Sequence, residues 1–506
     1  MKMTKIICII LILGIVYRIF LTSNGSFLFN MDNARDMVDV REMVVLGKIR
    51  LSGPSSAIEG VFNGPGWYYL LSIPFILSKG NPYAAILMQI ILWAIGGFFL
   101  LKTISKWGKL LVFPIGFLWI ASNYVVLTNL YAFNPNPVIL LTPLFIYLFY
   151  KYLERGNLVY ILSTWFLGGL FFNYEMNFGI FIPLIILIST FLTDKNLLKK
   201  RNFWIGSLFF ILTLVPQLLF DVRHNFIMTT SIINFIKSGS SSGFNILARI
   251  IVISDSFYNT FMAVLMNQRI LTLTILILSI LIFYKFFKED QKDKIVQICL
   301  VYIFVPFLGY LVLPVTVNAW HLGGEMAAGI ILLAFVMKKL WDFNIKAKLI
   351  SLTLAIFIAG FSLMNIFNFF LRDINRPNLD PSLFKNEIAA IDYVYHKANG
   401  VNFKVYTYLP SVYDYPYQYL FWWYGKKKYG YIPGEYRYLP NKPQYIPSQD
   451  QFEGRKDNFS GLVFLIKEPN RNYTRFGWEG NLLYLEPIEK QMVGSIEIET
   501  RREIKK

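Results

Sequence analysis

Apolar residues in this chain run in long blocks, broken by short polar and mostly basic stretches. A helix needs about 20 apolar residues to cross the hydrocarbon of a bilayer. The blocks predict eleven spans, near 4–22, 81–103, 110–129, 137–150, 158–173, 177–193, 203–220, 270–287, 295–314, 322–337 and 348–371. The first lacks a small-x-small cleavage site and is interrupted by Arg18, so it reads as a retained anchor. Trp67–Leu77 is apolar but short, and Pro74 breaks it. With Trp67, Tyr68 and Tyr69 at its start, it reads as a helix lying in the outer interface. The semi-apolar stretch 245–265 is a second segment of that kind. Beyond residue 371 the pattern changes. Phe384–Lys397 follows a helical period, while Phe403–Tyr408, Gly461–Ile466 and Gly494–Thr500 read as strands. The expected architecture is an all-α polytopic membrane domain over 1–371, with an outer loop 23–80, followed by a soluble α/β domain over 372–506.

Composition sharpens this. Hydrophobic residues make up 55% of the chain and charged ones 16%, against roughly 25% charged in soluble proteins. Mean hydropathy is +0.47. A soluble enzyme, a disordered chain and a fibrous one are all excluded. Cys8 and Cys299 lie in apolar runs and make no disulfide framework. The net charge of +18 would suit nucleic acid, but its placement does not. The gaps that fall on one side of eleven spans hold 19 Lys/Arg and 6 Asp/Glu; the opposite side, up to residue 371, holds 9 and 9. That asymmetry is the positive-inside pattern. It puts the N-terminus in the cytoplasm and loop 23–80 and the tail outside, with no nucleic-acid partner.

The outer loop carries the densest chemistry. It opens Asn30-Met31-Asp32-Asn33-Ala34-Arg35-Asp36, and Met37, Val40 and Val44 continue a helical period. Asp32 and Asp36 share a helix face, and Arg35 lies three residues from Asp32. A carboxylate pair beside a guanidinium suits work on a phosphate-bearing lipid, with Arg for the phosphate and Asp for a proton. A solvated amphipathic helix with local ion pairs explains the same spacing. Asp36 is the second candidate for the base. Glu175 and Glu325 sit at span ends, where a carboxylate is costly and often functional. His224 and His321 are the two histidines of the membrane part, too few and unclustered for zinc. In the tail, the run Tyr413–Tyr424 is nearly all aromatic, with Asp414 and Gln418 interleaved. Such a run stacks on sugars, docks on a membrane or forms a core.

The order of these motifs resembles the polytopic GT-C glycosyltransferases, in the branch of protein O-mannosyltransferases and lipid A aminoarabinose transferases. The likeness rests on Asp32-x-x-Arg35 after the first span and on Gly64-Pro65 before Trp67-Tyr68-Tyr69-Leu70-Leu71. It continues in Tyr131-Ala132-Phe133-Asn134-Pro135-Asn136, in Pro216-x-x-x-Phe220-Asp221-x-Arg223-His224 and in Trp320-His321-Leu322. It covers about residues 1–340. The resemblance implies a GT-C-like fold, with Asp32 as catalytic base and Arg35 as the donor-phosphate ligand. Where the family often carries Lys-Pro-Pro or His-Pro-Pro, this chain has Asn63-Gly64-Pro65. Where the family has an acidic third-span loop, it has Asn134 and Asn136.

The expected function is transfer of a sugar from a polyprenyl-phosphate donor to an extracytoplasmic protein, lipid or glycan acceptor, by a single inverting displacement. Asp32 and Asp36 are the catalytic candidates. Arg35, Arg223 and His224 are the candidates for donor phosphate, and Asn134, Glu175, His321, Tyr415 and Trp422 for substrate contacts. No cofactor or metal site is expected, although a divalent cation is left open. Membrane lipids are the remaining partners. The alternative is a transporter or flippase for a lipid-linked saccharide.

Overall fold

The computed structural model describes residues 3–240, 245–290, 293–440, 445–454, 459–469 and 474–503. By length and composition, nine helices among them are long and apolar enough to cross a membrane, or ten if one bent pair counts as a span. The protein is a multi-pass membrane protein. The expected third span is that pair, Val112–Ala121 and Asn123–Leu130, bent by 46°. The expected fifth span is the shorter helix Leu158–Tyr174, of 17 residues. The segment read as interfacial, 245–265, forms the 19-residue helix Ile246–Val264, which is one of the nine. Trp67–Leu77 lies in the 13-residue helix Gly66–Ser78, with Pro74 inside it.

The chain divides into two compact units. The first comprises Met1–Phe20, Ile49–Leu70 and Leu87–Ile374. Its bent pair shows how a polar residue serves a span. The backbone leaves helical geometry at Ser122 (φ −54°, ψ 125°), whose Oγ accepts from Val125 N. A break strands carbonyls, and in hydrocarbon each unsatisfied backbone group costs several kcal/mol. Arg18 fills the gap. It is fully buried and donates to the carbonyls of Ile120 (3.0 Å) and Trp119 (3.2 Å) and to Asn129 Oδ1 (2.7 Å). Its guanidinium lies 3.8 Å over the Trp93 ring.

The second unit comprises Leu21–Lys48, Leu71–Ile86 and Asn375–Lys506. This departs from the division drawn from sequence, which kept 23–80 with the membrane domain. Backbone pairing is the reason. Phe29 N donates to Ser382 O (2.8 Å) and Phe384 N to Phe27 O (2.9 Å), while the rings of Phe27 and Phe384 stack at 4.8 Å. Tyr419 Oη donates to Gly80 O (2.6 Å), and Trp423 Nε1 to Lys79 O (3.1 Å). The unit's sheet has five strands in the order β2-β1-β3-β5-β4: β1 (Asn402–Tyr408), β2 (Glu435–Arg437), β3 (Phe459–Lys467), β4 (Leu485–Val493) and β5 (Ile496–Glu503). β1 is parallel to β2 and β3, and β5 is antiparallel to β3 and β4. Parallel neighbours need a long crossover. The β1–β2 crossover carries the aromatic run, including the helix Tyr415–Leu420. The helix Phe384–Ala398 matches the sequence expectation to within one residue.

Candidate active site

The loop helix is Met31–Val45. Asn30 caps it, its Oδ1 accepting from Asp32 N (3.1 Å) and Asn33 N (3.4 Å). Asp32 therefore sits in the first turn, where the helix dipole favours a negative charge. Arg35 bridges both carboxylates. Its Nη1 lies 3.2 Å from Asp32 Oδ1; its Nε (3.0 Å) and Nη2 (2.9 Å) both reach Asp36 Oδ1. The two acids differ in access: the Asp32 side chain is 37% exposed, while that of Asp36 is wholly buried. A sealed carboxylate cannot meet a substrate, so of the two acids read from sequence as catalytic candidates only Asp32 is open. Asp36 instead fixes the guanidinium.

The same unit supplies the back of this helix. Tyr415 has Asp39 and Arg35 among its charged neighbours, and burial, with Asp39, raises its hydroxyl above the usual phenol range. Trp422 is a packing residue: it stacks on Phe75 (6.4 Å, 7°) and meets Phe452 edge-on (5.8 Å). Arg41 is buried, its guanidinium 3.7 Å over Phe452 and 5.4 Å from Trp422. None of its side-chain nitrogens has a hydrogen-bond partner among the described residues. Burial lowers its pKa from the ordinary value. Glu42 accepts a short hydrogen bond from Ser448 Oγ.

In the membrane unit, a second polar cluster forms around Glu175. The chain leaves the helix Leu158–Tyr174 there, and Glu175 caps the short turn Met176–Gly179. Glu175 Oε1 accepts from Asn177 N (3.2 Å) and Asn177 Nδ2 (2.9 Å), and Asn177 Nδ2 lies 3.4 Å from His321 Nε2. Asn134 Nδ2 donates to Tyr174 O (2.6 Å). Asn63 Oδ1 accepts from Met176 N (3.1 Å), and Asn173 Oδ1 from Gly66 N (3.2 Å). The Gly-Pro turns are clamped here; a Cβ on Gly64 would lie 2.1 Å from Asn173 Oδ1. Asn63, which stands where the resembled family often has a cation, is thus spent on backbone. Glu325 is buried, with both carboxylate oxygens lacking a partner among the described residues. Tyr124, Tyr302 and Tyr310 are its electrostatic neighbours.

The predicted residues thus fall into groups. Asp32, Arg35, Asp36 and Tyr415 come together, as do Asn134, Glu175 and His321. Arg223 and His224 are not part of the Glu175 group of their unit: both are exposed at the end of the helix Arg201–Arg223, and His224 Nδ1 lies 2.8 Å from Phe220 O. Sequence reasoning missed Asn177 and Arg41. The signal for Asn177 was an Asx/Glx cap pattern two residues after Glu175; Arg41 offered none beyond its helical register. Among the described residues, one trio of carboxylates has metal-like spacing, Glu479, Glu497 and Glu499. Lys467 Nζ occupies its centre, 2.8 Å from Glu479 and 3.2 Å from Glu497. Burial pushes Glu497 up, but Arg475, Lys490 and Lys467 prevail and hold it at about 2. The trio is an ion-pair network rather than a metal centre.

No family model matches the sequence, and no curated protein matches it. The fold does have solved counterparts. A crystal structure of ArnT from Cupriavidus metallidurans bound to undecaprenyl phosphate superimposes with a TM-score of 0.63, at 11% identity, over 98% of each chain. The apo form of the same protein gives 0.62 at 10% identity, again over 98% of both chains. The chain is similar to ArnT along its length, and its fold is the GT-C-like one that the motif order implies.

Proposed function

We propose that this protein is an integral-membrane glycosyltransferase that moves a sugar from a polyprenyl-phosphate donor to an extracytoplasmic acceptor, with inversion. One observation carries the reading: an exposed carboxylate, Asp32, held by Arg35 in the first turn of the loop helix, within a fold shared end to end with a protein crystallised with undecaprenyl phosphate. A lipid phosphate competes with Asp32 for Arg35 Nη1, while Asp36 keeps Nε and Nη2 in place. Donor binding thereby frees Asp32. The freed carboxylate takes the proton of the acceptor hydroxyl, whose oxygen attacks the anomeric carbon. The bond to the lipid phosphate breaks, and its electron pair leaves with the phosphate, whose charge Arg35 stabilises.

The test is release of polyprenyl phosphate from radiolabelled polyprenyl-phosphate sugars by the purified protein. Asp32→Asn is expected to cut turnover by about 10²–10⁴ and to leave donor binding intact. Arg35→Ala is expected to weaken donor binding. Full turnover in Asp32→Asn overturns the reading; donor binding without any release favours a flippase. The basic inner gaps support an extracytoplasmic loop and tail. Cysteines placed at Ala57 and Leu483, both exposed, are expected to react with an impermeant thiol reagent added outside; reaction at one alone refutes that orientation.

A further inference from the structure

The proposed transfer chemistry leaves one large cavity of the second unit unused. It measures about 690 Å³, within the roughly 300–1,000 Å³ range of small-molecule sites. Rings of Tyr413, Tyr445 and Trp478 line it, together with the amide side chains of Gln418, Gln449 and Asn481. The helix Thr474–Gly480 supplies Trp478, and the β1–β2 crossover supplies Tyr413 and Gln418.

Three features describe what would fit. Aromatic faces offer flat apolar surface, with hydroxyls at the ring edges. Tyr413 is 45% exposed and stacks on Tyr415 at 5.8 Å, leaving ring surface to the cavity. Next come hydrogen-bond acceptors. Gln418 Nε2 donates to Asp414 Oδ1 (2.7 Å) and to Tyr445 Oη (3.0 Å), which fixes the amide's orientation. Its Oε1, and that of Gln449, are buried with no donor among the described residues. These oxygens are sealed behind the cavity wall, so the polar groups open to a ligand are the exposed Asn481 side chain and the tyrosine hydroxyls. The third feature is charge. Arg437 also lines the cavity, but its Nε lies 2.6 Å from Glu453 Oε1 and its Nη2 2.5 Å from Asp450 Oδ1. Its charge is spent, so nothing here selects an anion.

From these we infer that the cavity binds a short neutral saccharide, with C–H faces on the rings and hydroxyls bonding to the Asn481 side chain and the tyrosine hydroxyls. This goes beyond the proposed transfer reaction and does not depend on it. It gives the tail a glycan-holding role that the aromatic run alone left undecided.

The test uses the full chain in lipid nanodiscs, with saturation-transfer NMR and tryptophan fluorescence. The probes are neutral di- and trisaccharides of glucose, mannose and N-acetylglucosamine, a glucuronic-acid disaccharide, and a Tyr/Pro-rich peptide. At least one neutral saccharide is expected to bind, and Tyr413→Ala is expected to weaken it about tenfold. Tyr445→Phe, which keeps the ring but loses the hydroxyl that orients Gln418, is expected to weaken it less. Circular dichroism and thermal unfolding confirm that both variants fold. Failure of every neutral saccharide, tighter binding of the charged sugar or the peptide, or unchanged affinity in both variants overturns the inference. Binding is read without turnover, so its failure leaves the transfer reading standing, and a dead transfer assay leaves the saccharide site standing.

Discussion

The Asp32 helix and the Glu175 cluster each set carboxylate oxygens among hydrogen-bonding side chains, yet they are assembled in different ways. Around Asp32 the partners lie within four residues of one another, and one guanidinium serves two acids. Around Glu175 the carboxylate's own donor, Asn177, is local, but the cluster closes through distant segments: Asn63 of the loop on Met176 N and His321 of a later span end on Asn177. A local cluster keeps its geometry as long as its helix does. A dispersed one depends on every segment arriving, and it reports on the packing of the whole membrane unit. Function that needs a group exposed and exchangeable suits the first; fixing of helix ends suits the second.

The comparison breaks most visibly at Asp36. Removing one partner of a buried ion pair costs about 3–5 kcal/mol, so Asp36→Ala is expected to lower the unfolding temperature and abolish transfer together. Asp32→Asn, at an exposed pair worth about 0–1 kcal/mol, is expected to abolish transfer with little change in unfolding temperature. Equal destabilisation by the two would erase the distinction between a structural and a chemical acid. In the dispersed cluster, Asn177→Ala removes one donor to Glu175 but leaves the backbone one. A loss of about 1–3 kcal/mol is expected from thermal unfolding in detergent, with donor affinity unchanged. A shift in donor affinity instead would place this cluster in the substrate path.

The last expected effect is one of pH. Burial pushes the Asp414 carboxyl up to about 8, against the Gln418 amide that favours its charged form. A folded-state pKa above the unfolded value means the native state holds the extra proton. This contribution to stability is complete below about pH 4 and is lost as pH rises through 8. The unfolding temperature is therefore expected to fall between pH 5 and 8, and to fall less in Asp414→Asn. An identical slope in both would show that the residue is charged when folded.

Legibility followed the same divide. The Asp32-Arg35-Asp36 turn was readable because helical spacing alone places those side chains together; the burial that separates the two acids was not, because it comes from packing of the tail. The helix Phe384–Ala398 and strands β1, β3 and β5 were readable from period. β4 was not: all but its first and last residues are exposed and it includes Pro487, so no apolar alternation marks it. β2 has only three residues. In the membrane unit, hydropathy carries no direction, so the bend at Ser122 was invisible. Ile246–Val264 reads from sequence as interfacial because it is only semi-apolar, yet it is long and apolar enough to cross, and it carries Arg249. That guanidinium donates to the carbonyls of Tyr310 (3.1 Å), Leu313 (2.6 Å) and Val315 (2.5 Å), partners no local window includes.

Arg18 has a consequence for synthesis. Three of its acceptors lie 101, 102 and 111 residues further along the chain, while Gly14 O lies four residues before it. At about 5–20 residues per second, the ribosome needs roughly 5–20 s to make the three. For that interval the first helix carries a guanidinium whose long-range acceptors do not yet exist, and the long side chain must reach toward water to remain solvated. The first helix settles only when the bent pair arrives, so the order of assembly in the bilayer is written into the chain as a delay between a charge and the carbonyls that receive it.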